Sequence, residues 1–146
     1  MNRLSGKVAI ITGAALGLGR ATAQRMAEEG ASVAILDVLD PQGAALEMAL
    51  RGQGHKAHFW HCDVAREAEI AAVFSEVVAH FGRLDILVNN AGVAGADKPT
   101  HEITETEWDF VQSINVKGVF FATKHAIAHL RAAGGGSTLN LSSLYG

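Results

Sequence analysis

The sequence has little cysteine, little net charge and no long apolar run. Cys62 is the one cysteine, so an internal disulfide is excluded, which agrees with a reducing cytoplasm. No apolar run approaches the roughly 20 residues that span a bilayer, and residues 8–11 are too short for the core of a signal peptide. The net charge is −3, with acids and bases intermixed. We therefore expect a cytoplasmic protein with neither a nucleic-acid nor a membrane partner.

Apolar runs and helical patterns alternate along the chain. Short apolar runs bounded by glycine or polar residues predict strands, and longer segments with helical spacing predict helices. The predicted strands cover residues 8–11, 31–36, 56–61, 84–88 and 137–141, and the helices cover residues 18–29, 41–51, 66–81, 104–115 and 119–131. The alternation predicts one α/β domain over residues 1–146, a Rossmann-type doubly wound parallel sheet with helices on both faces.

A glycine-rich turn follows the first predicted strand and opens the first helix. Gly13, Gly17 and Gly19 follow Thr12 with the spacing G-x-x-x-G-x-G. Strand, glycine-rich turn and helix present backbone amides and a positive helix end to a phosphate. The spacing differs from the common dinucleotide fingerprint G-x-G-x-x-G. The turn alone therefore leaves both nucleotide binding and an ordinary loop open.

Polar or glycine residues also follow the other predicted strands. Thr12-Gly13, Asp37, Asp63, Asn90 and Ser143 each stand at a predicted carboxyl end. The carboxyl ends of parallel strands meet at one edge of the sheet, where α/β proteins bind their ligands. Their convergence favours a nucleotide site over an ordinary loop.

Five segments of the chain match one set of family motifs: residues 12–19 (T-G-x-x-x-G-x-G), residues 62–64 (C-D-V), residues 87–92 (L-V-N-N-A-G), residues 114–116 (I-N-V) and residues 139–143 (L-N-L-S-S). Together they resemble the short-chain dehydrogenase/reductase family. The segments occur in the family's order, and the resemblance extends over the entire chain. It implies an oxidoreductase that transfers a hydride between a nicotinamide cofactor and an alcohol or ketone carbon.

The resemblance assigns cofactor contacts to four regions. Gly13, Gly17, Leu18 and Gly19 would surround the adenosine ribose and pyrophosphate. Asp63 and Val64 would border the adenine, with the carboxylate accepting from the exocyclic amine. Asn90 and Ala91 would line the cofactor path, while Asn89 would tie the central strands together.

Asp37 implies a preference for NAD(H) over NADP(H). The residue stands about twenty positions beyond the last glycine, where a carboxylate can accept hydrogen bonds from the ribose hydroxyls. The same charge would repel a 2′-phosphate. No Arg or Lys occurs at positions 38 and 39 or within residues 14–16 to neutralise one.

The resemblance also implies two residues of the catalytic apparatus. Ser143 would hydrogen-bond the substrate oxygen, with Ser142 in a structural role. Asn115 would hold a water of the proton relay and would also satisfy backbone groups at a helix kink. The family's acid/base Tyr and its partner Lys have no match here, because Tyr145 is the one Tyr and no Lys follows it.

This departure predicts an N-terminal fragment of a protein of about 250 residues. The fragment would keep the cofactor half, lack the proton-transfer half and be inactive alone, with the fifth strand as an exposed sheet edge. Two alternatives stay open. The chain could be a non-catalytic NAD-binding or regulatory protein, or a structural piece of a larger assembly.

Histidine spacing and helix faces give three further expectations. His55, His58 and His61, and the pair His125 and His129, lack the acid or thiolate ligands that complete a metal site, so we expect exposed histidines and no metal. Helical stripes that face the core are expected on two helices, with Leu18, Ala21, Thr22, Arg25 and Met26 on the first and Phe120, Lys124, Ile127 and Leu130 on the last. The aromatic residues Trp108, Phe110, Phe120 and Phe121 are expected to pack between helices. In the family the helix over residues 119–131 lies at a subunit interface, which implies a homo-oligomer.

Overall fold

The structure is a computed structural model and describes residues 2–143. Within these residues the strands are β1 (Val8–Thr12), β2 (Ser32–Asp37), β3 (Ala57–His61), β4 (Ile86–Asn89) and β5 (Ser137–Asn140). The α-helices are α1 (Gly17–Glu28), α2 (Asp40–Gly52), α3 (Glu67–Phe81), α4 (Glu105–Gln112) and α5 (Val119–Ala132). A 3-10 turn covers Thr100–Glu102, and a π-helical segment, Ser113–Gly118, joins α4 to α5.

The five strands form one parallel sheet in the order β3-β2-β1-β4-β5. The strand order reverses between β1 and β4, because β2 and β3 follow on one side of β1 whereas β4 and β5 lie on the other. This reversal is the topological switch point at which α/β sheets bind ligands. The predicted α/β class and doubly wound parallel sheet are confirmed.

Helices cover both faces of the sheet. β1 is buried throughout, and its residues alternate between two apolar cores. Val8 and Ile10 pack with the core that includes α3 and α5, while Ala9 and Ile11 pack with the core that includes α1 and α2. A strand buried on both faces reads as a continuous apolar run, which is why the first strand was visible in the sequence.

The predicted core-facing stripes of α1 and α5 are wrong except at Leu130, which is buried, and Met26, which packs partly buried against the core. In α1 the buried residues are Gly19, Ala23 and Ala27, whereas Leu18 is 72% exposed. In α5 they are Ala122, Ala126 and Leu130, whereas Phe120 is 63% exposed. Small residues face the core in both helices, which lets the helices approach the sheet closely and turns the larger side chains outward.

The expected packing of the aromatic residues between helices also fails in part. Trp108, Phe110 and Phe120 are all exposed, and only Phe121 packs against the core. By contrast, the predicted capping box of α4 is confirmed, because Thr104 accepts from the Glu107 amide and Glu107 accepts from the Thr104 amide. Over the described residues, no helix is both long and apolar enough to cross a bilayer.

Candidate active-site cleft

An open cleft of about 430 Å³ lies at the carboxyl edge of the sheet, over the switch point. The segments that follow β1, β2, β3 and β4 all contribute to it. The lining residues are Gly13, Leu16, Gly17, Asp37, Val38, Leu39, Cys62, Asp63, Val64, Asn90, Ala91, Gly92, Val93 and Ile114. Seven of the nine residues that we expected to contact a cofactor therefore meet on one surface.

The turn after β1 brings bare backbone to the cleft. Gly13 and Gly17 have φ of 63° and 55°, a left-handed conformation that favours glycine. A Cβ added at Gly13 would lie 2.7 Å from the Cα of Ala91, so only glycine fits between the two strand ends. Leu16, the N-cap residue of α1, makes no side-chain cap bond, so its side chain leaves the first amides of the helix available.

Asp37 ends β2 with its carboxylate held by two backbone amides. Oδ2 accepts from the Ala15 amide of the glycine-rich turn at 2.9 Å, and Oδ1 accepts from the Leu39 amide at 3.1 Å. These bonds connect the end of β2 to the turn after β1. The carboxylate is therefore fixed at the wall of the cleft with acceptor capacity remaining.

The turn after β3 gives the cleft a second carboxylate and an apolar surface. Asp63 Oδ1 accepts from the Ala65 amide at 2.9 Å, so the side chain stabilises its own turn. Val64 is buried against Gly118, where an added Cβ would lie 2.9 Å from Val64 Cγ2. Cys62 is also buried. Its burial, reinforced by the nearby Glu69 and Asp63 carboxylates, raises the pKa of the thiol to about 12.

Asn90 uses its side chain to fix the glycine-rich turn. Its amide nitrogen Nδ2 donates to the carbonyl oxygens of Thr12 and Gly13 at 3.0 and 2.9 Å. The hydroxyl of Thr12 accepts from the backbone amides of Asn90 and Ala91. The side chains of Thr12, the last residue of β1, and Asn90, the residue after β4, thus hold the two strand ends together at the switch point.

Asn89 connects β4 to its neighbours on the other side. Its Nδ2 donates to Asn140 Oδ1 of β5 at 2.8 Å and to Thr123 Oγ1 of α5 at 3.2 Å. Asn89 is buried, and these bonds satisfy its amide. The side chain therefore joins strands, as the resemblance implied.

Asn115 lies in the π-helical segment and makes two hydrogen bonds to the loop after β4. Its Oδ1 accepts from the Val93 amide and its Nδ2 donates to the Val93 carbonyl oxygen, both at 2.9 Å. π-helical turns occur often at functional sites, and this one aims Asn115 across the chain at a cleft residue. The role in satisfying backbone groups is observed, while the role in a proton relay stays a prediction.

Four predicted site residues do not line the cleft: Leu18, Gly19, Asn115 and Ser143. Gly19 packs directly under Gly13 and Asn90, so it shapes the turn rather than the cleft surface. Leu18 points outward and is largely exposed, and Ser143 is exposed beyond the end of β5. Their contacts with cofactor or substrate stay predictions. Tyr145 lies outside the described residues.

Several lining residues were not predicted. Leu16, Val38, Leu39, Gly92, Val93 and Ile114 are neighbours of predicted residues in the sequence, and Cys62 directly precedes Asp63. Adjacency to a strand-end polar residue was the available signal. The backbone conformation of each turn decides which neighbouring side chains face the cleft. Motif spacing does not determine that conformation.

Of the five histidines expected to be exposed, only His61 is, and the other four are half-buried; three of the five make local contacts. His58 Nδ1 lies 3.0 Å from Glu47 Oε1, and His61 Nδ1 lies 2.6 Å from Asp40 Oδ1. His125 Nε2 lies 2.9 Å from Glu67 Oε1. In the part of the chain that the structure describes, no group of three or more His, Cys, Asp or Glu residues is placed to hold a metal ion.

A second, shallower groove of about 550 Å³ follows the outer face of α5. Phe120 and Ile127 line it and are 63% and 44% exposed. Lys124 and Arg131 border the same groove. Its lining residues all belong to α5, include no carboxylate and are not shared with the cleft.

Comparison with known proteins identifies the class to which this fold and cleft belong. The sequence model of the short chain dehydrogenase family matches residues 7–146. The chain belongs to the short-chain dehydrogenase/reductase family.

Curated relatives and a solved structure agree with this assignment. The chain is 45% identical over 141 residues to cis-4-hydroxycyclohexanecarboxylate dehydrogenase of Sinomonas cyclohexanicum, covering 96% of the chain and 56% of the relative. It is 39% identical over 146 residues to cyclopentanol dehydrogenase of Comamonas testosteroni, covering 100% and 58%. A crystal structure of NAD+-bound xylitol dehydrogenase superimposes with a TM-score of 0.94 at 35% identity, covering 99% and 55%. The chain thus spans about half the length of these relatives.

Proposed function

We propose that this chain is the NAD(H)-binding part of an oxidoreductase that interconverts an alcohol and a ketone by hydride transfer. The observation that carries the proposal is the fixed Asp37 carboxylate beside a glycine-rich turn with bare backbone, both in one cleft at the switch point. Family membership supports the oxidoreductase class.

The cleft residues fit a dinucleotide. Gly17, where an added Cβ would meet open space, leaves room for a pyrophosphate to approach the backbone at the start of α1, and Gly13 lets the turn pack against Ala91 beside it. Asp37 would accept from the adenosine ribose, and Asp63 with Val64 would border the adenine. Asn90 and Ala91 would line the path toward the nicotinamide. We also propose that Leu18 and Gly19, in the glycine-rich turn, contact the adenosine ribose and pyrophosphate.

We favour NAD(H) over NADP(H) because of charge. Asp37 and Asp63 are both acidic, and the described lining residues include no Lys or Arg. A 2′-phosphate beside Asp37 would meet a like charge without a counterion. The NAD+ bound to the similar xylitol dehydrogenase is consistent with this preference.

The nicotinamide, when bound, would accept or supply the hydride. Ser143 would orient the substrate oxygen, and Asn115 would hold the loop at Val93 and a water of the relay. The acid/base Tyr-x-x-x-Lys has no match in these 146 residues, so we propose that these residues alone are inactive. The alternative is a non-catalytic NAD-binding or regulatory protein. Such a protein would also bind NAD(H) but would not catalyse hydride transfer.

The partners are proposed from the relatives and from α5. Relatives named for dehydrogenation of cyclopentanol and of a hydroxycyclohexane carboxylate favour a small-molecule alcohol or ketone substrate. The apolar groove on α5 supports a homo-oligomer. We further propose a cytoplasmic location, with no nucleic-acid or membrane partner and no metal.

Calorimetric titration with NADH and NADPH tests the proposal. We expect the chain to bind NADH more tightly than NADPH, and we expect Asp37→Asn to lower that preference about tenfold, because the substitution removes the repulsion of the 2′-phosphate. Asp109→Asn, at an exposed position on α4, is the matched control and should leave the preference unchanged. A folded chain that binds no NADH, or that prefers NADPH, would contradict the proposal.

A further inference from the structure

Glu69 reaches from α3 to the backbone of the turn that carries Asp63. Its Oε2 accepts from the Asp63 amide at 2.9 Å, and its Oε1 lies 3.0 Å from Arg66 Nε. Glu69 does not line the cleft, and its side chain is only about one-third exposed. The carboxylate therefore acts on a residue of the cleft without facing it.

This contact is not the ordinary capping of a helix. In α4 the glutamate at the third helical position, Glu107, accepts from the amide of its own N-cap residue, Thr104. Glu69 holds the same position in α3, but the amide of its N-cap residue, Arg66, already donates to the Asp63 carbonyl oxygen at 3.0 Å. Glu69 instead reaches three residues further back, to the amide of Asp63.

Three contacts together leave the turn little freedom. The Asp63 carboxylate holds the Ala65 amide, the Cys62 amide donates to the Asp37 carbonyl oxygen at 3.0 Å, and Val64 packs against Gly118. Glu69 supplies the bond to the amide of Asp63. An amide hydrogen bond to a charged acceptor is stronger than a neutral one, so its loss would loosen the turn at that point.

We propose that Glu69 is a positioning residue for dinucleotide binding, which sets the orientation of Asp63 and Val64 by holding the Asp63 amide. The inference rests on the proposed function, in which these two residues border the adenine. Glu69 touches neither cofactor nor substrate, and its effect is transmitted through the turn. Loss of Glu69 should therefore weaken the binding of the adenine amine more than the binding of the rest of the dinucleotide.

A comparison of two ligands separates this role from general stability. NADH carries the exocyclic amine of adenine, and reduced nicotinamide hypoxanthine dinucleotide lacks it. The wild-type chain should prefer NADH, because Asp63 can accept from the amine. Glu69→Ala should weaken NADH binding about threefold to tenfold, the range expected for one hydrogen bond, and should weaken the analogue by less, so that the preference falls.

Two variants serve as controls. Glu69→Gln keeps an acceptor for the Asp63 amide and should bind NADH within about twofold of the wild type. Glu76→Ala makes the same truncation at an exposed position of α3 and should change neither affinity nor preference. Thermal melts of all variants verify that each is folded.

The outcomes distinguish this inference from the proposed function. If the wild type binds NADH and Glu69→Ala binds it equally well, or weakens both ligands equally, Glu69 is structural only and the inference is overturned. The inference is also overturned if the wild type binds NADH and the hypoxanthine analogue equally well, because Asp63 then accepts no hydrogen bond from the adenine amine. A folded wild type that binds neither ligand refutes the proposed function itself.

Discussion

Gly19 is the residue at which α1 comes closest to the glycine-rich turn. A Cβ at this position would overlap the Gly13 carbonyl oxygen and the side-chain amide of Asn90. These are the two groups whose hydrogen bond locks β1 to β4. Gly19 therefore serves close packing beneath the cleft.

We predict that Gly19→Ala lowers the free energy of unfolding by about 1–3 kcal/mol, because the added methyl group overpacks backbone that cannot move aside. NADH binding should weaken as well, since the turn must shift. Urea denaturation and calorimetry measure the two effects. Gly52→Ala is the matched control: an added Cβ there meets open space, and alanine favours the helix, so stability should be unchanged or slightly higher.

Sequence reasoning succeeded at residues whose chemistry is tied to a strand end. Asp37, Asp63 and Asn90 were predicted from position and motif, and all three line the cleft. The motif position of Leu18 does not fix the direction of its side chain, which is 72% exposed, and its contact with the cofactor stays a prediction. Motif spacing could not identify Glu69. Its hydrogen bond to the Asp63 amide forms only because α3 packs back over the turn that precedes it.

Glu29 joins the N-terminal segment to the end of α1. The residue is 2% exposed, and its Oε1 lies 2.9 Å from Arg3 Nη2 and 2.6 Å from Arg25 Nη2. The Leu4 amide also donates to the Glu29 carbonyl oxygen. The Arg3 hydrogen bond, opposed by burial and assisted by the charges of Arg3 and Arg25, lowers the pKa of Glu29 to about 2.

This shift predicts a pH-dependent contribution to stability. A carboxylate with a lowered folded-state pKa contributes fully above its ordinary value of 4.5 and loses the contribution as the pH falls toward 2. The difference in free energy of unfolding between wild type and Glu29→Gln should therefore be constant from pH 6 to pH 8 and shrink below about pH 4.5. Urea denaturation at several pH values measures it.

Glu28→Gln is the neighbouring control for Glu29. Glu28 is exposed and pairs with Arg25 on the surface, so its substitution should change the free energy of unfolding little at any of these pH values. A difference for Glu29→Gln that stays constant down to pH 3 would contradict the assigned ionisation.

At the scale of elements, periodicity located the strands and helices but not every boundary or face. Each predicted strand is present within one or two residues, because apolar runs and glycine stops mark strands clearly. The π-helical segment Ser113–Gly118 was missed, since a single wide turn leaves no period of its own. The burial of α5 differs from the prediction because Ala122 and Ala126, rather than Phe120, pack in the core against the sheet.

At the scale of the whole molecule, the alternation of elements predicted a parallel sheet without its strand order. The order β3-β2-β1-β4-β5 places the ends of β1 and β4 side by side, and this neighbourhood brings Gly13 to Asn90. β5 pairs with β4, and all four of its residues are exposed. The cleft and the groove on α5 are separate surfaces.

Amide hydrogen exchange with and without saturating NADH tests most directly whether the dinucleotide binds in this cleft. We predict slower exchange in the four strand-end segments, residues 13–17, 37–39, 62–65 and 90–93, because the cofactor would cover or rigidify them together. Residues 119–131, on the groove of α5, should exchange at the same rate in both states. Bound NADH that leaves the strand-end segments unprotected, or that protects α5 instead, would contradict the assignment of the dinucleotide site to this cleft.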